Sequence, residues 1–162
     1  MERKLNPGIE LLLAIFDQAF DKLSWHGTNL RGSLRGLTVK QLLWRPSPKR
    51  HNIWELALHS AYWKYAVHRR MTGAQKGLFA RKPSNYPAIP ENPDKEAWQR
   101  DLALLEEWHL KLREVIAAFP DSKWNQRPPE SEWNFLNTVY GAAAHDLYHA
   151  GQIQLLKKLQ KG

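Results

Sequence analysis

Four long stretches of this chain place apolar residues at intervals of three and four, and that rhythm restricts the fold to packed helices. In the first, Ile9, Leu12, Leu13, Phe16, Phe20 and Leu23 form one stripe, with Asn6 as cap, Pro7 in the first turn and Gly27 as the stop. The second opens on the capping-box pattern Asn52-Ile53-Trp54-Glu55 and closes at Gly73. The third is capped near Asn92-Pro93, carries Trp98, Leu102, Leu105, Leu112 and Ile116, and halts before Pro120. The last runs from about Asn134 to Lys161. A short extra helix is expected at Thr38–Trp44, where Thr38 and Gln41 fit a capping box and Pro46 ends the run. No strand-like alternation is sustained and no internal repeat occurs. The expected fold is therefore all-α: a four-helix bundle with long connectors, forming one domain over residues 1–162. Connectors longer than about 12 residues often serve as functional covers, and they leave the up/down order of the helices open.

Composition excludes several functional classes. No apolar run reaches the ~20 residues of a membrane span, and MERKLNPGIE has no apolar core after its charges, so a secretory signal is not expected and the cytoplasm is. Cysteine is absent, which removes disulfides, thiolate metal ligands and a protein thiol nucleophile. Eight tryptophans suggest a core or cleft with wide aromatic walls. The net charge of +8 invites anionic partners, but the basic residues, among them Arg31, Arg35, Lys49, Arg50, Arg69, Arg70, Arg81, Lys82, Lys157 and Lys158, are scattered and no nucleic-acid motif accompanies them. A solvated surface with a mild pull on small anions is the expectation, and nucleic-acid binding is not.

Chemistry enters with histidine. His145 and His149 stand four residues apart in AAAHDLYHAGQIQLLKKL, so both imidazoles leave one helical face and can grip one cation. On a helical wheel turning about 100° per residue, His149, Leu156, Leu159 and Gly141 all fall within about 40° of His145. Lys157, Lys158 and Gln154 fall on the far side. On the second helix His59 shares its arc with Leu56, Tyr62, Trp63 and Ala66, whereas Lys64 and His68 point towards water. His59, His145 and His149 thus face the bundle interior, and three buried rings need partners, each unmet need costing about 1–3 kcal/mol. One divalent cation would satisfy all three and keep open coordination positions for chemistry. Hydrogen-bonded core histidines are the plainer alternative. A zincin site is excluded, because Asp146-Leu147-Tyr148 replaces the Glu that follows the first His in H-E-x-x-H.

His59 in ELALHSAYW with HDLYHAGQI far downstream resembles the DinB-like (YfiT-like) superfamily of metal-dependent four-helix-bundle proteins. Ser24-Trp25-His26-Gly27 and LWRPSPKRHNIWELALH are similar to one subgroup of it, and the similarity spans the chain from the first helix to Lys158. The resemblance implies a divalent metal held by a histidine triad, which falls on His59, His145 and His149. It also implies membership among families that include mycothiol- or bacillithiol-dependent transferases and maleylpyruvate isomerase, and frequent homodimers.

The expected activity is transfer of an exogenous low-molecular-weight thiol to an electrophilic small-molecule substrate, with a metal-bound thiolate or water as nucleophile. The alternatives are a metal-dependent hydrolase and a non-catalytic metal- or ligand-binding stress-response protein. Zinc or nickel heads the candidate metals, with iron and copper next, since imidazoles accept all four. Among helpers, Gln152 lies about 20° from His145 on the same arc and can bond a ligand or a second histidine nitrogen. Glu55 is a base or histidine acceptor if its capping role allows, and His26 has either a capping or a substrate role. Tyr62, Trp63 and Tyr148 are expected as wall and core. His51 stands at a helix start with capping or substrate contact open to it, and His109 has no assigned role.

Overall fold

Asn6 begins the first helix by accepting the amide of Gly8 at 2.9 Å, with Pro7 as the first helical residue. The computed structural model describes residues 6–129 and 131–161; the first five residues of MERKLNPGIE lie outside them. Six α-helices follow in order: α1 (Pro7–Phe20), α2 (Leu30–Ser33), α3 (Val39–Leu43), α4 (Ile53–Thr72), α5 (Lys95–Ala118) and α6 (Phe135–Leu159). A 3-10 turn at Asp121–Lys123 precedes the last. Among the described residues there is no strand.

The local signals explain most boundaries. Thr38 with Gln41 and Asn52 with Glu55 both close reciprocal capping boxes, and Gly73 ends α4 in the left-handed conformation at φ 74°. Helix α6 starts at the cap Asn134. Three expectations are corrected. Helix α1 stops at Phe20, and Leu23 is 97 % exposed, because the chain turns out of the helix over the carbonyl of Asp17. The cap of α5 is Asp94, whose carboxylate accepts the amide of Ala97; an anion at the positive helix end outcompetes neutral Asn92. The extra turn α2 was not anticipated: Asn29 caps it and its two leucine neighbours, Leu30 and Leu34, are buried.

Helix α4 packs against α5 and α6, and α1 packs against the same two, so the four long helices close into a bundle with α2 and α3 laid across α6 and α4. Two apolar clusters fill it, one built around Trp54, Leu58, Leu105 and Ile153, the other around Phe16, Leu112, Ile116 and Val139. Each such side chain contributes about 1.5–3 kcal/mol on leaving water.

The wheel for α6 needs rotation. Its buried face runs through Val139, Ala143, Asp146, Ala150 and Ile153, while Gly141, Tyr148 and Leu159 are exposed. The face is centred about 100° from His145, on Asp146, so the histidine pair occupies its flank. Tyr148 is therefore not core, although its ring stands edge-on to His149 at 5.1 Å. Lys64 is likewise not a surface residue. It is 2 % exposed, its Nζ lies 4.8 and 4.9 Å from the rings of Phe16 and Phe20, and it forms an ion pair with Asp146, itself 1 % exposed.

Candidate metal centre

His59 reaches the site from the middle of α4, and His145 and His149 reach it from consecutive turns of α6. The Nε2 of His145 lies 3.1 Å from that of His59 and 3.0 Å from that of His149, and the candidate ligand atoms of the three rings all fall within 4.8 Å of one another. Two separations of about 3 Å are of the size of a coordination edge built on metal–nitrogen bonds of about 2.0–2.1 Å.

Proton placement decides what these nitrogens need. His59 Nδ1 lies 2.6 Å from the backbone carbonyl of Asn85, a group that only accepts, so the ring proton sits on Nδ1 and Nε2 keeps its lone pair. His149 Nδ1 donates in the same way to Gln152 Oε1 at 2.7 Å. Both rings consequently aim lone pairs at His145 Nε2, which carries at most one proton and satisfies at most one of them. At least one short nitrogen–nitrogen contact is left without a proton between its two atoms. Extra protons are no remedy, because burial, reinforced by the neighbouring imidazoles and Lys64, pushes His145 down to about 3. Burial pushes His149 down to about 4 and lowers His59 as well, against the opposing bonds from Gln152 and Asn85. Three neutral imidazoles with converging lone pairs fit a divalent cation.

The surroundings hold the rings in place. Tyr86 stacks on His59 at 4.0 Å between centroids and on His51 at 3.9 Å from its other side. Trp63 stands edge-on to both His59 and His145 at 6.3 Å, and its indole N–H donates to Asn85 Oδ1 at 2.9 Å. Asn85 thus bonds a ligand histidine through its main chain and an aromatic wall through its side chain, with its own backbone in the left-handed region at φ 68°. Asn85 and Tyr86 lie on the connector between α4 and α5, which covers His59 as long connectors were expected to do.

Beside His145 a cleft of about 650 Å³ opens between α4 and α6. Trp63, Trp133 and Tyr140 contribute aromatic surface to it, and the Lys64–Asp146 pair also lines it. Burial drives Lys64 and Asp146 towards their neutral forms, and each one's charge pulls the other back.

Two helper candidates stand elsewhere. Glu55 caps α4 and is held by Arg45, by the amide of Asn52 and by His51. Burial works to raise its carboxyl, but those bonds outweigh it and leave the group below its ordinary range, which makes it a poor base. Its link to the triad is indirect, through His51 and the Tyr86 stack. His26 is exposed and its ring contacts Ser24 at 3.4 Å, without a bond to the three histidines. The residues that sequence reasoning missed are Asn85, Tyr86, Lys64 and Asp146. Only the last two left a trace in the helical pattern.

An all-helical bundle with two histidines on its last helix and a third on a neighbouring one defines a class of bundle protein whose histidines could hold a metal ion. The sequence profile of the DinB superfamily matches residues 22–153, and the chain belongs to that superfamily. No curated protein and no solved structure matches it. No helix among the described residues is long and apolar enough to cross a membrane.

Proposed function

We propose that this protein is a divalent-metal-dependent enzyme that joins a low-molecular-weight thiol to an electrophilic small molecule. The observation that carries the reading is the triad's unsatisfied lone pairs at the edge of an aromatic cleft that His145 also lines. A triad sealed from solvent would favour a structural role, whereas a half-buried ligand on an open cleft favours turnover. Cysteine is absent, so a sulfur nucleophile has to arrive as a substrate.

Bound at the three histidines, zinc or nickel (iron or copper as further candidates) would supply Lewis acidity that stabilises an anionic nucleophile at neutral pH. The protein's own residues do the rest. Asn85 and Gln152 fix the proton of His59 and His149 on Nδ1, Tyr86 restrains the plane of His59, and Trp63 and Trp133 wall the space where a substrate lies flat. In the reaction the thiol loses its proton, sulfur forms a bond to the electrophilic carbon, and the leaving group departs with its electron pair and takes up a proton.

Elemental analysis of untagged protein tests the site first: about one metal per chain is expected in the wild type, and loss in both His59→Ala and His145→Ala. Retention in both variants removes the chemical basis of the proposal. Metal-loaded protein is then assayed with a panel of thiols and electrophiles, where a thioether product is expected. Substrate loss without added thiol would reassign the protein to hydrolysis.

A further inference from the structure

Basic residues from one stretch of the chain, residues 69–82, come together on a second cleft. It holds about 740 Å³, within the range of about 300–1,000 Å³ that encloses small ligands, and lies between the second half of α4 and residues 76–84 of the following connector. Arg69, Arg70, Arg81 and Lys82 line it, and no acidic residue does. Arg81 is matched by Asp101, which it reaches at 2.9 Å. Arg69, Arg70 and Lys82 form no ion pair with a described residue, so the cleft keeps a positive excess.

Its walls are anchored. Asp101 also accepts the indole N–H of Trp54 at 2.9 Å, Phe79 is buried, and the amide of Leu78 donates to the hydroxyl of Tyr65 at 3.1 Å. Aromatic surface lines the space through Tyr62, Trp63 and Phe79, and the Arg70 guanidinium lies over the Trp63 ring at 5.6 Å. Guanidinium forks match the paired oxygens of phosphate and carboxylate, and a flat apolar body packs on aromatic rings. Unopposed cations inside a low-dielectric cleft attract anions more strongly than the same charges spread over a surface.

We propose that this cleft binds a small polyanion, a molecule carrying at least two negative charges on phosphate or carboxylate groups beside a planar ring. The site is separate from the histidine triad, although Trp63 borders both clefts, and it does not depend on metal.

Calorimetric titration of metal-free protein at low salt tests it with four probes: ADP, adenosine, pyrophosphate and citrate. Saturable ADP binding is expected, at least tenfold tighter than adenosine and weakening as salt rises. ADP tighter than both pyrophosphate and citrate supports the ring contact, and the order of those two separates phosphate from carboxylate recognition. Arg69→Gln and Lys82→Ala, both at solvent-reachable positions, are each expected to weaken ADP severalfold with unchanged melting. His145→Ala is expected to bind ADP like the wild type, so loss of the metal reading would not touch this one. The proposal is overturned by adenosine binding as well as ADP, by absence of saturation with all four probes, or by unchanged ADP affinity in the Arg69→Gln/Lys82→Ala double variant. A single-stranded oligonucleotide binding more tightly than ADP also overturns it, since that marks an extended nucleic-acid surface.

Discussion

His59 and His149 each commit one ring proton to a fixed acceptor, and that choice turns three neighbouring imidazoles into a set of converging lone pairs. Gln152 was visible in the sequence because it stands three residues after His149 on the same helical arc. Asn85 was not, because its carbonyl meets His59 from a connector 26 residues away, and loop geometry has no periodicity to read. Replacing Gln152 with Leu leaves His149 without its acceptor and is expected to weaken metal affinity about 10- to 100-fold in a chelator competition. Unchanged affinity would show that the hydrogen bond does not tune the ligand. His109, which the sequence left without a role, lies flat between Phe16 and Phe20 at 4.6 and 3.8 Å. Burial first, then the charges of Lys64 and Arg113, push it down to about 2. Between its ordinary value of 6.5 and about 2, the unfolded chain takes up a proton that the folded chain refuses. Stability is therefore expected to fall as pH drops below 6.5, by up to about 1.4 kcal/mol per pH unit from this residue alone. His109→Leu should flatten the slope in urea melts run from pH 7 to pH 4, and an unaltered slope would contradict the assignment.

At the scale of elements, the join between α4 and α6 is where wheel reasoning failed and where it had a usable signal. Ile53, Ala57, Ser60, Lys64, Val67 and Met71 recur at intervals of three and four along α4, and all six are buried. Lys64 occupies a core position of that stripe, but its charge argued for water. Only the facing Asp146, from a helix far along the chain, reverses that preference. The two helices they join also carry all three histidines, so the pair restrains the spacing of the ligands. Lys64→Met leaves a carboxylate buried without its partner and is expected to cost about 3–5 kcal/mol in chemical denaturation. Adding Asp146→Leu should restore most of that stability, because an apolar pair fills the same space without the desolvation penalty. A single variant as stable as the wild type would mean that the pair is not held charged inside the bundle.

For the whole molecule, a ligand bound to the native state alone stabilises it by mass action. Metal at about 100 times its dissociation constant is expected to add about 2.7 kcal/mol, seen as a higher melting temperature that chelation reverses. His59→Ala and His145→Ala should abolish the increment, and a wild type that melts identically with and without metal would argue against a folded-state site. The four long helices, most of their caps and the two-histidine turn were determined by the sequence, because each depends on neighbours within about one helical turn. The inward rotation of α6, the burial of Lys64, the connector that orients His59 and the folding of residues 69–82 into one basic cleft were decided by tertiary structure. Those features depend on which surfaces meet across the bundle, and a charge or a carbonyl has no preferred environment until its partner is in place.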